Sequence, residues 1–387
     1  MALRLDMIAL LAASTLTVMS GAAISPALPG MAQHFAEVPE AGLLVRQVLA
    51  APALAIVATS WFIGIAIDRT GCRPVILIGL VLFALAGTAG FYLDDILSLL
   101  VSRLGLGIAV GMLLAGCTTA IGTRFDDDDR ARITGLQVVA MCVGGVVFLG
   151  LGGLAARDGW RMPFLLYLVA VPMLPLVMAG LRRETVRPRP TATERAPLPW
   201  KTLAWIYPVM TLGMATFYAV PVQLPFLLHE AGITDTAAIG GAIALSTLTS
   251  GLVAASFGRI RDRAGARAVF VACFAFTAAG YLLIGHAGGF AGMAVGSAIS
   301  GIGFGAFFPN CATLLFTRVP HTLRGRAMGG LGAAMYLGHL SAPAITRTLS
   351  ATAGPAGSFL VLAGVSAVMA TGFLVLGNRC APAGGRS

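Results

Sequence analysis

The sequence predicts an all-α polytopic membrane protein: twelve transmembrane helices in two pseudo-symmetric six-helix bundles, with both termini cytoplasmic. The first observation is composition. Hydrophobic residues make up 57% of the 387-residue chain and charged residues 11%, against about 25% charged in a soluble domain. The second is a repeat. "GIAIDRTGCRP" (64–74) returns as "GRIRDRAGARA" (258–268), an offset of 194 residues, half the chain. The third is the placement of the basic residues, which fall on one side of a twelve-span thread.

The spans follow in order. Apolar runs cover about 7–27, 43–66, 74–92, 97–121, 132–156 and 161–181, then 202–228, 236–258, 267–286, 290–316, 325–350 and 355–377. Each is near the ~20 residues that cross a hydrocarbon core as a helix. Lipid leaves no partner for an open strand edge, so runs of this length are helices. The first run is too long for the apolar region of a secretory leader and continues into "SPALPG" (25–30), so it reads as the first membrane helix.

Topology follows from charge. With the N-terminus inside, 21 of the 26 basic residues fall in cytoplasmic loops and tails. Arg46, Arg103, Arg157, Arg161 and Arg347 are the exceptions. This is the positive-inside asymmetry. The net charge of +10 is thus a topology signal, with anionic lipid headgroups as its partners and no nucleic acid implied.

The 194-residue offset extends past the loop. "RARITG" (130–135) pairs with "RGRAMG" (324–329), Gly107 and Gly111 with Gly301 and Gly305, and Gly144 with Gly338. Six helices are therefore followed by six related ones in the same orientation: a first bundle over 1–181 and a second over 202–387. Between them, 182–201 is a Pro- and Arg-rich cytoplasmic linker. Parallel repeats of this kind build one transporter architecture.

Several motifs carry a family resemblance over nearly the whole chain. "GIAIDRTGCRP" resembles the loop between helices 2 and 3 of the major facilitator superfamily. "ISPALPGMAQHF" (24–35) resembles the end of helix 1 in its drug:proton antiporter branch. "SRLGLGIAVG" (102–111) resembles its helix 4, and "GWRMPF" (159–164) the start of its helix 6. The resemblance implies a secondary transporter working by alternating access, most simply a proton-linked exporter of a small amphipathic solute. An uptake symporter or facilitator is the alternative. It also implies a gating loop at Gly64, Asp68, Arg69, Gly71 and Arg73, with Asp262, Arg263, Gly265 and Arg267 as its twin.

The chain departs from that pattern in places. Cys72 stands where the family has a basic residue. In helix 5, Gly135, Gly144, Gly152 and Gly153 keep the antiporter spacing, but Phe148-Leu149 replaces Gly-Pro, and Leu106 replaces a Gln in helix 4. All sixteen acidic residues lie in loops or at helix ends. Proton coupling normally uses an ionisable group inside the membrane, which leaves Arg103 and His339. Arg103 sits about 9 Å along its helix at 1.5 Å per residue, within reach of an interface by snorkelling. For a substrate cavity the family's lining helices offer Tyr218, Gln223, Asn310 and Phe307. Few polar anchors among apolar side chains suit a small amphipathic solute better than a sugar.

Other signals resolve to bland readings. The only lysine, Lys201, follows Pro199-Trp200, so there is no P-loop. "HEAGI" (229–233) lacks the second His of HExxH and no GxSxG occurs, so an intramembrane enzyme is not indicated. A sensor would bring a soluble domain that no stretch is long enough to form. "FDDDDRARITG" (125–135) reads as a solvated helix cap. The six cysteines have no CxxC spacing and read as small hydrophobes. No cofactor or metal is implied. The expected setting is a bacterial inner membrane, with the chain as a monomer alongside lipids, solute and protons.

Overall fold

The computed structural model describes residues 5–125, 127–181, 200–319 and 324–376, and their regular structure is helical, with short connections and no strand among them. In the first part lie α1 (Leu5–Ala22), α2 (Leu28–His34), α3 (Ala41–Thr70), α4 (Cys72–Thr88), α5 (Ile96–Arg124), α6 (Asp127–Ala155) and α7 (Ala170–Gly180). A tighter 3₁₀ segment, Met162–Val169, leads into α7. Then come α8 (Trp200–Phe217), α9 (Ala219–Glu230), α10 (Thr236–Ala255), α11 (Phe257–His286), α12 (Phe290–Gly305), α13 (Phe307–Arg318) and α14 (Arg324–Leu376).

Eleven stretches are long and apolar enough to cross a membrane among the described residues. The sequence runs at 325–350 and 355–377 join in one of them, because α14 continues through a single non-helical residue, Gly354 (φ 77°, ψ 168°). Three of the expected spans are instead interrupted midway, the tenth at Ala306 between α12 and α13. The first breaks between α1 and α2 at a 3₁₀ turn containing Pro26. The seventh breaks between α8 and α9 at Tyr218, three residues before Pro221. Proline lacks the N–H that would continue the ladder, so the breaks in the first and seventh spans are written in "SPALPG" and "YAVPVQLP".

The chain divides into two compact units. One comprises Met1–Pro190 with Thr234–Ala244, the other Thr191–Ile233 with Leu245–Ser387. The start of α10 thus goes with the first unit, which a boundary at 202 does not anticipate. The expected linker, apart from Trp200 and Lys201, lies outside the described residues, as do the side chains of the aspartate run from Asp126 to Asp129.

The repeat seen in the sequence recurs in the packing within each unit. In the first, a methyl at Gly107 of α5 would overlap the Pro52 carbonyl oxygen of α3. In the second, a methyl at Gly301 of α12 would overlap the Ser246 carbonyl oxygen of α10. Both partners of each pair are 194 residues apart. Gly144 brings α6 to 2.7 Å of the Thr15 Cβ of α1, and Gly338 brings α14 to 2.5 Å of the Thr211 carbonyl oxygen of α8, measured from the Cβ each would carry. Small residues are what permit helices to approach this closely in lipid.

The start of α10 is held to α6 by polar contacts too. Thr236 Oγ1 donates to the Gly153 carbonyl at 2.6 Å. The Arg157 guanidinium, just beyond α6, makes two 2.8 Å bonds to the Asp235 carboxylate.

Candidate functional site

The two signature loops are single-residue turns. Gly71 (φ 85°, ψ 169°) separates α3 from α4, and Gly265 (φ 78°, ψ 160°) interrupts α11. That region of backbone space is open essentially to glycine alone, which explains why both positions hold it. The arginine two residues on has the same task in each unit. Arg73 Nη2 donates to the Met178 carbonyl at 3.0 Å, near the end of α7. Arg267 Nε donates to the Phe373 carbonyl at 3.0 Å, and its Nη2 to that of Leu374, near the end of α14. The last carbonyls of a helix lack intrahelical partners, and a cation there also complements the helix dipole.

The rest of the loop is more open. Asp68 and Arg69 are exposed on the last turn of α3, and Asp262 and Arg263 are exposed just before the Gly265 break. A carboxylate at a helix C-terminus opposes the dipole, so Asp68 and Asp262 are not there to stabilise their own helices. Nothing lies within 4 Å of where a Gly64 side chain would start. Cys72 is buried at the head of α4.

Arg103 does not snorkel. It is fully buried, and its Nη2 donates to the carbonyls of Ala86 (2.9 Å) and Gly87 (2.8 Å) in the last turn of α4. Its guanidinium carbon lies 4.9 Å from the Phe164 ring centroid and 5.3 Å from that of Tyr167. Gly87 and Gly90 make room for these rings, since a methyl at either would overlap them. Arg103 is therefore a staple between α5, the end of α4 and the segment before α7.

The four cavity candidates separate into four places. Phe307 is 2% exposed and packs in the core of the second unit with Phe270, Met210 and Leu331. It borders a crevice of about 10 Å³ with Thr216, Thr277 and Phe304, room for about one water. Asn310 is fully buried; its Nδ2 donates to the Ala266 carbonyl at 2.9 Å, one residue past Gly265. The structure thus brings Asn310 to the signature-loop twin. Gln223 is also fully buried and donates to Ser350 Oγ at 2.7 Å. Tyr218, at the α8–α9 break, stacks on His339 with ring centroids 4.3 Å apart. Tyr336 meets the same imidazole edge-on at 5.6 Å. Tyr218, Tyr336 and His339 are each half-buried.

Sequence reasoning passed over some of these partners. Gln137 of α6 donates to Ser14 Oγ of α1 at 2.9 Å, both buried. An amide inside an apolar run is the signal that singled out Gln223, and it applied equally to Gln137. Tyr336 lies three residues before His339, a spacing that places the two on one helix face.

Discontinuous helices, parallel repeats and paired tight turns define a polytopic secondary transporter, not an enzyme. The chain belongs to the Major Facilitator Superfamily, which matches residues 10–253 and 206–383, and it moves a small solute across a membrane. It is 28% identical over 338 residues to the 3-(3-hydroxy-phenyl)propionate transporter of Escherichia coli, covering 81% of this chain and 78% of that one. It is 32% identical over 123 residues to the quinolone resistance protein NorA of Staphylococcus aureus, about a third of each chain (32% and 31%). Among solved structures, the nucleoside transporter NupG superposes with a TM-score of 0.76 at 13% identity, covering 95% of this chain and 99% of that one. The D-xylose-proton symporter superposes with a TM-score of 0.75 at 18% identity, covering 95% and 96%. These two likenesses concern the fold.

Proposed function

We propose that the chain is a proton-linked exporter of a small amphipathic solute, working by alternating access as a monomer in a bacterial inner membrane. Its twelve helices form two six-helix bundles joined by a cytoplasmic linker, with both termini cytoplasmic; the Gly354 break within α14 supports that count. The observation that carries export is the close seam between α6 and α1. Gly144 and Gly152 bring the two helices together so closely that a side chain at Gly152 would overlap the Ala23 carbonyl. That is the spacing in which helix 5 resembles the antiporter branch.

A second reading, uptake or facilitated exchange, is favoured by one specific feature. Phe148-Leu149 replaces the Gly-Pro, and α6 runs unbroken from Asp127 to Ala155. The relative matching most of the chain is named for transport of 3-(3-hydroxy-phenyl)propionate, an aromatic acid of the amphipathic size class in question.

Asp68 is the gate. It sits where its charge costs its own helix, so its stabilising partner belongs to one transport state. Asp68→Asn should leave expression and folding intact and abolish transport in liposomes; normal transport by that variant would sink the assignment. With Arg103 tied to carbonyls, His339 is the coupling group, the one remaining basic candidate the family reading offers inside the membrane.

A further inference from the structure

Among the described residues the buried charged side chains, Arg46 and Arg103, are both basic. Every acidic residue in the described spans sits at a span's end or beside the Gly265 break, whereas Arg46, Arg103, His339 and Arg347 lie deeper. Surroundings of low dielectric with only basic groups favour an anion and disfavour a cation. Arg46 and Arg103 already donate to backbone carbonyls. His339 differs. Among the described residues its ring makes aromatic contacts with Tyr218 and Tyr336 and no hydrogen bond.

Its position adds weight. His339 lies fifteen residues from both the start of α14 and the Gly354 break, about 22 Å of helix each way at 1.5 Å per residue. That is mid-depth for a membrane span. Tyr218 approaches it from the break between α8 and α9, and interrupted helices at mid-bilayer are where such transporters build their sites. A polar ring in an apolar setting needs a hydrogen-bond partner, and its half-buried state leaves it reachable. The two flanking tyrosines offer aromatic faces beside it.

We infer that the transported solute is an aromatic monocarboxylate, its carboxylate hydrogen-bonded by the His339 imidazole and its ring resting against Tyr218 and Tyr336. This deepens, and rests on, the reading of the chain as a transporter of a small amphipathic solute, in either direction. The carboxylate accepts a charge-assisted bond from the imidazole N–H, and an aromatic ring prefers offset or edge contact with its neighbours.

The test is calorimetric titration of the purified, detergent-solubilised full chain with three matched probes: 3-phenylpropionate, 3-phenylpropionamide and 3-phenylpropylamine. The carboxylate should bind about tenfold more tightly than the amide, the scale of one hydrogen bond to a charged group, and the amine should bind weakest. His339→Ala should bring the carboxylate to the affinity of the amide. Tyr218→Leu should weaken both alike. His339→Asn, which keeps an N–H donor, should retain the preference and guards against a folding defect in the alanine variant. Equal or tighter binding of amide or amine overturns the inference, as does an unchanged preference in His339→Ala. If no probe binds while a panel of dyes still crosses liposomes containing the protein, the substrate class is wrong and the transporter reading stands. If nothing crosses, the reading beneath it fails as well.

Discussion

Replacing Arg103 by Met keeps the length of the side chain and removes every donor. In the native chain one nitrogen serves two carbonyls, Ala86 and Gly87, at 2.9 and 2.8 Å. A buried acceptor left without its donor costs about 1–3 kcal/mol, and a desolvated cation–π contact adds about 2 kcal/mol. Against this, the variant no longer buries a guanidinium, which returns part of the cost. The net expectation is a loss of about 3 kcal/mol, roughly a hundredfold in the folding equilibrium. The assay is unfolding of the purified protein by denaturing detergent, followed by the fraction that stays monodisperse. Arg103→Lys should fall between the two, since an ammonium reaches the carbonyls without the planar fork. An Arg103→Met protein as stable as the native chain, yet unable to transport, would refute the staple and return Arg103 to coupling.

The remaining expectations concern packing and pH. Gly107→Val and Gly301→Val should each destabilise by about 1–3 kcal/mol, the usual cost of overpacking, and by similar amounts, because the two glycines face equivalent backbone oxygens. Gly135→Ala, with nothing within 4 Å, should be neutral or stabilising in the same unfolding assay. The hydrogen bonds from Arg157 hold the Asp235 carboxyl below its ordinary value of 3.8. A depressed carboxylate contributes stability above its unfolded-state value, and that contribution fades as pH falls through the lowered folded-state value. Asp235→Asn should therefore lower stability slightly at neutral pH, by no more than the small worth of an exposed pair, and flatten the acid limb of a stability profile below about pH 4, where the two proteins converge.

The helices and their repeat were legible because both depend on residue type at one position. Lipid forces any long apolar run to be helical, and glycine at 71, 265, 107 and 301 marks places where a backbone angle or a helix seam excludes every side chain. The interruptions at Pro26 and Tyr218 were written in proline-bearing motifs. Partnerships were not legible in the same way. Whether Asn310 faces a cavity or the Ala266 carbonyl depends on how α13 is rotated against α11, and periodicity does not encode rotation. The same holds for Arg103, whose length allowed an interface as well as the end of α4. Gln137 and Ser14 lie 123 residues apart, and only the packing of α6 on α1 reveals the pair.

The most direct measurement places the purified protein in liposomes with an internal pH dye and adds aromatic carboxylates, dyes and lipophilic cations across an imposed proton gradient. Proton-linked export requires that a solute drive protons in the opposite direction and that Asp68→Asn abolish the signal. Protons moving with the solute would contradict export and establish uptake. Solute crossing with no proton response would contradict proton coupling itself.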